Sequence, residues 1–289
     1  TSVGAFSETN DFDDSGGDSW MIRPVEQGGA GAPYTSVLNP AATGDAWALR
    51  DEHGTVLRPG YAGYRMGDPW NPEFLADIDA LVARDVVPRA ADSRLQMWFL
   101  GNELGIWDRT DPLVSGVRDF RRHLWSDCPS GSTVDTPHCA PHALAAYLRD
   151  HYGSLGALND AWESDYAGVD FAVIVDEGPR PVPYVHDCNQ TCRDNLQRFV
   201  HDELLARWVF ETTTRVRAAD PHHLLSSPRL ALSNDNHYRF WSDKNSDQPD
   251  VWADDPTREL SADKDEAPTN PFDLLARRGD SGFDLVSVN

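Results

Sequence analysis

Lysine is nearly missing from this 289-residue chain: Lys244 and Lys264 are the only two among its 25 basic residues, and the rest are arginine. Basic charge as a whole is scarce, because 47 Asp and Glu stand against those 25 and leave a formal charge of −22 at pH 7. A surface this negative repels nucleic acid phosphates and anionic lipid headgroups, so neither is expected as a partner. Glutamate is also short, 11 against 36 aspartates, and an Asp-rich, Lys-poor surface suits a saline medium or a GC-rich genome. No apolar run approaches the roughly 20 residues that a membrane-spanning helix needs. Internal repeats, low-complexity tracts and linker-like stretches are not found, so no domain boundary is read inside residues 1–289. With 40% hydrophobic and 10% aromatic residues, the chain has the means to build an ordered core.

Neither end reads as a natural terminus. The chain opens on the apolar run Thr1-Ser-Val-Gly-Ala-Phe6 with no initiator Met and no signal-peptide core, and it closes on Phe283-Asp-Leu-Val-Ser-Val-Asn289, a strand interrupted. An internal piece of a longer protein is therefore expected, and the missing signal peptide says nothing about secretion. Cysteines are few but even in number. Cys128, Cys139, Cys188 and Cys192 permit two short-range disulfides, Cys128 with Cys139 and Cys188 with Cys192, which would imply an oxidising compartment. Free thiols, or a structural zinc site assisted by His138 or His142, are the alternatives, although no C-x-x-C or H-x-x-x-H spacing is present.

Local signals divide the chain into alternating elements. Val3 to Phe6 and Tyr34 to Leu38 are β-prone. The loop Asp11 to Asp18 between them has a calcium-loop register, but Ile22 occupies the position of the bidentate Glu, so it reads as a solvated loop. Asn71 caps and Pro72 opens a helix with Phe74, Leu75, Ile78, Leu81 and Val82 on one face, expected to end near Asp85 before Pro88 breaks it. Leu95 to Leu100 is a buried-strand candidate. Helices are expected at Pro141 to Tyr152, stopped by Gly153, at Ser154 to Trp162, capped by Ser154, and at Asp194 to Ala219, ended before Pro221. Leu224 to Leu232 is strand-like, Asn270 to Gly279 a short helix, and Asp284 to Val288 a strand. This alternation predicts parallel strands joined by helical crossovers.

One carboxylate stands out. Glu103 comes three residues after the apolar run Trp98-Phe-Leu100, behind Gly101 and Asn102, where a parallel barrel carries its chemistry. Against Trp98, Phe99 or Trp107 its carboxyl would be desolvated and kept protonated near neutral pH, as a general acid requires. Pairing with Arg109 is the structural alternative. Glu177 follows the apolar run Phe171 to Val175, but the Pro-rich text after it reads as a surface loop, and Glu8 follows the opening strand.

Met97-Trp-Phe-Leu-Gly-Asn-Glu-Leu-Gly105 resembles the Asn-Glu signature after the fourth strand of clan A retaining glycoside hydrolases. Asp68-Pro-Trp-Asn-Pro-Glu-Phe74, Leu148 to Trp162, Ala219 to Leu225 with Arg229, and Asp284 to Asn289 are similar, in order and spacing, to stretches of that clan's β-agarase and β-galactosidase branch. The likeness covers about residues 60 to 289. It implies a partial (β/α)8 TIM barrel, strands two to six with long mouth loops, so that residues 1–289 form an incomplete catalytic domain. It also implies a retaining hydrolase of a β-galactoside or agar-like oligo- or polysaccharide; no cofactor or metal is expected, and the disulfides and Asp-rich surface point to a secreted, extracellular setting. Glu103 would be the acid/base and Asn102 would hold a sugar hydroxyl. Trp107, Arg229, Asn289 and Glu8 are the remaining substrate-contact candidates. The nucleophile, which follows the seventh strand in the family, would lie outside these residues, leaving the fragment inactive alone. Ten Trp residues agree with sugar stacking, although Trp162 and Trp208 sit at core spacing, and the histidines show no ligand spacing. A sugar-binding barrel without catalysis, and a metal-dependent hydrolase, are the rival readings.

If the surface is an adaptation to salt, the urea unfolding midpoint will rise in molar NaCl as added ions screen carboxylate repulsion. A midpoint indifferent to salt would leave genome composition as the explanation.

Overall fold

Three parallel strands form one sheet in a computed structural model of the protein, which describes residues 33–50, 56, 65–101, 126–168, 170–176, 189–226 and 284. They are β1 (Tyr34–Leu38), β2 (Leu95–Leu100) and β3 (Leu224–Ser226), in spatial order β1-β2-β3. The register sets Ser36, Trp98 and Leu225 in one row, and Val37, Phe99 and Ser226 in the next. Strand side chains alternate between faces. Leu38, Trp98, Leu100 and Leu225 therefore share one face, and all four are buried in the core that the helices complete. Thr35, Val37, Met97 and Phe99 turn to the other face and take no part in that core.

Local chemistry explains most helix boundaries. In α1 (Pro72–Leu81), Asn71 accepts the Glu73 N–H through its side-chain oxygen at 2.9 Å, Pro72 opens the first turn, and Phe74, Ile78 and Leu81 are buried. The helix does not stop near Asp85. It widens into a π-turn at Val82–Val86 and tightens into a 3₁₀ turn at Val87–Arg89, with Pro88 in the first turn of that 3₁₀ segment. Proline cannot donate to the preceding turn, and the change from α to π and 3₁₀ winding around it is where that missing bond is absorbed. α2 (Ala140–Tyr152) ends at Gly153, whose φ of 71° is the left-handed conformation that favours glycine. Ser154 caps α3 (Leu155–Trp162) by accepting from the Ala157 N–H at 3.2 Å.

Val173–Asp176 forms the short helix α4. The run Phe171 to Val175 is thus not a strand, and Glu177 after it lies outside the described residues. α5 (Gln190–Arg198) starts before the expected Asp194, because Asn189 accepts the Cys192 N–H at 3.0 Å and caps the helix there. It continues through a π-helical segment, Phe199–Leu205, into α6 (Ala206–Ala219). Asn195 ties this long rod to the other helices: its side-chain oxygen accepts from Trp162 Nε1 at 2.9 Å and from the Tyr152 hydroxyl. Trp162 and Trp208 are both core residues. Among the described residues no helix is long and apolar enough to cross a membrane.

The turn from α6 into β3 is held by a buried carboxylate. Asp220 accepts from the His222 and His223 backbone N–H groups at 3.1 Å, from Trp98 Nε1 at 2.8 Å and from His223 Nδ1 at 2.6 Å. Burial pushes the Asp220 pKa up, but these donors outweigh it and hold the group below the usual carboxylate range. Trp98→Phe keeps the ring and removes one donor from the carboxylate. It is expected to cost about 1–3 kcal/mol in equilibrium urea unfolding.

Candidate functional site

The carboxyl ends of parallel strands are where such folds present their chemistry. Here that edge is formed by Leu38, Leu100 and Ser226. β2 leaves it through Gly101, which has φ 80° and donates its N–H to the Leu38 carbonyl at 2.6 Å. A side chain would be strained at that φ, so glycine is needed where the chain turns out of the sheet. Asn102, Glu103 and Trp107 follow in sequence and lie outside the described residues. So do Arg229, three positions past the end of β3, and Glu8, Asn289 and Cys188. Asp284 is described: its N–H donates to the Leu225 carbonyl at 2.8 Å, and its carboxylate accepts from the Leu225 N–H and from Arg217. The chain thus returns to the flank of β3 at the point where the terminal strand is expected.

At Ser126, on the far side of residues 102–125, a second buried carboxylate takes over. Asp68 is fully buried. One oxygen accepts from the Ser126 hydroxyl and, at 2.6 Å, from the Ala140 N–H; the other accepts from the Trp70 N–H at 2.9 Å. Arg207 stands close by, donating to the Pro69 carbonyl at 3.1 Å while its guanidinium lies 5.5 Å over the Trp70 ring. Asp127 is pinned as well, through its N–H to the Ala46 carbonyl and its carboxylate to Arg50, each at 3.1 Å. Both flanks of residues 102–125 are therefore fixed to the frame of sheet and helices, one by Gly101 and the other by Ser126.

Asp68 cannot touch a substrate, since no part of it reaches solvent, so its role is to hold the frame. Sequence reasoning singled out its Asp-Pro-Trp segment but gave the carboxylate no task. The Asp-x-x turn onto Trp70 was a local signal for one of its three bonds.

The described cysteines are oxidised. Cys128 and Cys139 form a disulfide, Cys192 is disulfide-bonded too, and Cys188 lies outside the described residues. The two sulfurs and the His142 ring lie within 4.8 Å of one another, the kind of grouping a thiolate metal site uses. A disulfide offers no thiolate, so the oxidised protein does not fit zinc. His138 contributes only its backbone N–H to Ser132 in this cluster. His223 is a satisfied core histidine, bonded to Asp220 and, through Nε2 at 3.2 Å, to the Asp92 carbonyl.

No protein-family model and no curated protein sequence matches this chain. Solved structures do. The chain is similar to PfGH50B with a TM-score of 0.50 at 15% identity, covering 72% of this chain and 26% of that one. It is similar to the catalytic domain of β-amylase from Paenibacillus polymyxa with a TM-score of 0.50 at 14% identity, covering 91% and 62%. The agarase AgWH50C aligns at a TM-score of 0.49 and 16% identity over 69% of this chain and 25% of that one. This chain thus spans about a quarter of the length of PfGH50B and of the agarase. The likeness shows a shared fold: these neighbours are TIM-barrel glycoside hydrolases, matched over part of their length.

Burial pushes the Asp68 pKa up to about 6, against the opposing effect of Ser126, Ala140, Trp70 and Arg207. A raised folded-state pKa means that the native state holds a proton that the unfolded chain has released. Its contribution to stability is complete below about pH 4 and is lost as pH rises to about 6, by about 3 kcal/mol. Asp68→Asn should remove this slope, read as the pH dependence of the urea unfolding free energy between pH 4 and pH 7.

Proposed function

We propose that the protein is part of a retaining glycoside hydrolase barrel that cleaves a β-galactoside or agar-like polysaccharide, with Glu103 as general acid/base. The observation that carries the reading is the exit of β2. A buried strand, Leu95–Leu100, turns out of a parallel sheet through the left-handed Gly101, and Asn102 and Glu103 are the next two residues. Support comes also from the fold shared with glycoside hydrolases.

The mechanism uses two carboxylates about 5 Å apart. Glu103 would give its proton to the glycosidic oxygen as the bond to the leaving sugar breaks, while a second carboxylate attacks the anomeric carbon. Glu103, now ionised, would then take a proton from the water that releases the sugar with its configuration retained. Asn102 would hold the sugar hydroxyl beside the scissile bond, and Trp107 would offer a ring face to a sugar. Arg229, Asn289 and Glu8 would line the same mouth. The nucleophile is left to a second Glu of the complete barrel. On the sheet's second face Thr35, Phe99 and Ser226 are buried and Val37 and Met97 partly buried, which agrees with a sheet covered on both faces as in a barrel. Disulfides fit a secreted protein.

Glu103→Gln in the full-length protein is expected to lower turnover of a natural glycoside by about 10²- to 10⁴-fold and to remove the alkaline limb of the pH–rate profile, with the unfolding midpoint unchanged. Unchanged turnover would remove Glu103 from the mechanism.

A further inference from the structure

We infer that the Cys128–Cys139 disulfide is a thiol-exchange site of fixed polarity, in which an external small thiol attacks Cys128 and Cys139 departs as the thiolate. The two sulfurs sit in different surroundings. Cys128 is partly exposed, in the segment that follows Ser126, whereas Cys139 is fully buried. An attacking thiolate must approach along the disulfide, so access selects the sulfur it meets.

The environment of Cys139 makes it the better leaving group. It is the N-cap of α2, a 13-residue helix whose dipole favours a negative charge at this end, with the Ala140 N–H already given to Asp68 and none on Pro141. His142, three residues on in Cys139-Ala-Pro-His142, brings its Nδ1 to 3.3 Å from the Cys139 sulfur. The Ser132 hydroxyl lies 3.5 Å from the same sulfur and 2.7 Å from His142 Nδ1. Because Ser132 Oγ already accepts the His138 N–H at 2.9 Å, its own hydrogen is available to donate to the ring or to the sulfur. With Nδ1–H of His142 donating to Ser132 Oγ, the Ser132 hydroxyl hydrogen can turn to a thiolate released at Cys139, which would then meet one side-chain donor backed by His142 at the N-terminal end of a helix. No comparable set surrounds Cys128 among the described residues.

The exchange balances as follows. The external thiolate forms a bond to the Cys128 sulfur, the Cys128–Cys139 bond breaks, and its electron pair goes to Cys139. A second external thiol then attacks the mixed disulfide, leaving two protein thiols and one oxidised external disulfide. The protein gains two electrons and two protons. The chain's charge of −22 slows anionic thiols such as glutathione relative to cationic ones such as cysteamine.

The test is to expose native protein to reduced glutathione, quench with acid, alkylate and map the peptides. The expected result is glutathione on Cys128 and an alkylated Cys139. Glutathione on Cys139, an even split, or reaction only after unfolding in guanidinium would each overturn the assignment. His142→Ala should slow native reduction several-fold while leaving the urea midpoint in place, and an unchanged rate in that variant would remove His142 from the leaving-group role.

Discussion

A carboxylate with no access to water has to be satisfied by the protein or neutralised, and Asp68 is held under that constraint. The polar groups gathered around it come from distant parts of the chain. Trp70 belongs to the entrance of α1, Ser126 follows the segment after β2, and Ala140 opens α2. Satisfying one side chain therefore fixes three backbone positions at once. It also brings residues 126 and 140 together, and the disulfide between 128 and 139 lies nested inside that bracket. A disulfide over a loop of this length would be worth about 3 kcal/mol if it alone closed the loop. With Asp68 already drawing the loop ends together, part of that closure entropy is supplied by hydrogen bonds, and the two effects cannot add in full.

Asp220 is a second buried carboxylate, and its protonation is biased in the opposite direction. It also stands at the junction between elements, yet its pKa falls where that of Asp68 rises. The difference lies in the balance of burial against donors. Asp220 receives two backbone N–H groups together with the Trp98 and His223 rings, and this set outweighs its desolvation. Asp68 has three hydrogen-bond donors and the field of Arg207, and burial prevails. The frame thus has one joint that favours the charged form and one that resists it.

The parts legible in the sequence were those set by short-range chemistry. Asn71-Pro72, Ser154 and Gly153 mark helix ends because a cap or a left-handed turn is decided within three or four residues. The strand Leu95–Leu100 was legible as an apolar run of strand length, and the parallel sheet followed from the alternation of elements. Other boundaries depended on competition between local signals. Pro88 halts α-geometry without halting the chain's helical winding, and the Asn189 cap starts α5 ahead of its apolar stripe. The role of Asp68 was not legible, because its partners Ser126 and Ala140 stand 58 and 72 residues away. Of the candidate site, the sequence made the Gly101 exit legible; the side chains that would act there fall outside the described residues.

The two faces of the sheet are covered in different ways. Toward the helices, Leu38, Trp98, Leu100 and Leu225 are sealed in a continuous core. On the other face Val37 and Met97 remain partly open, and Leu224, 45% exposed, leaves apolar surface at the base of β3. Thr35, Phe99 and Ser226 on that same face are buried all the same, so the sheet has cover on both sides, as the crossovers of a parallel sheet require. Asp284 adds a further tie at the outer edge of β3, through its N–H to the Leu225 carbonyl and its carboxylate to the Leu225 N–H. The row Val37, Phe99 and Ser226 lies on this second face next to the strand ends, so the residues that pack there also support the point where Gly101 carries the chain out of the sheet.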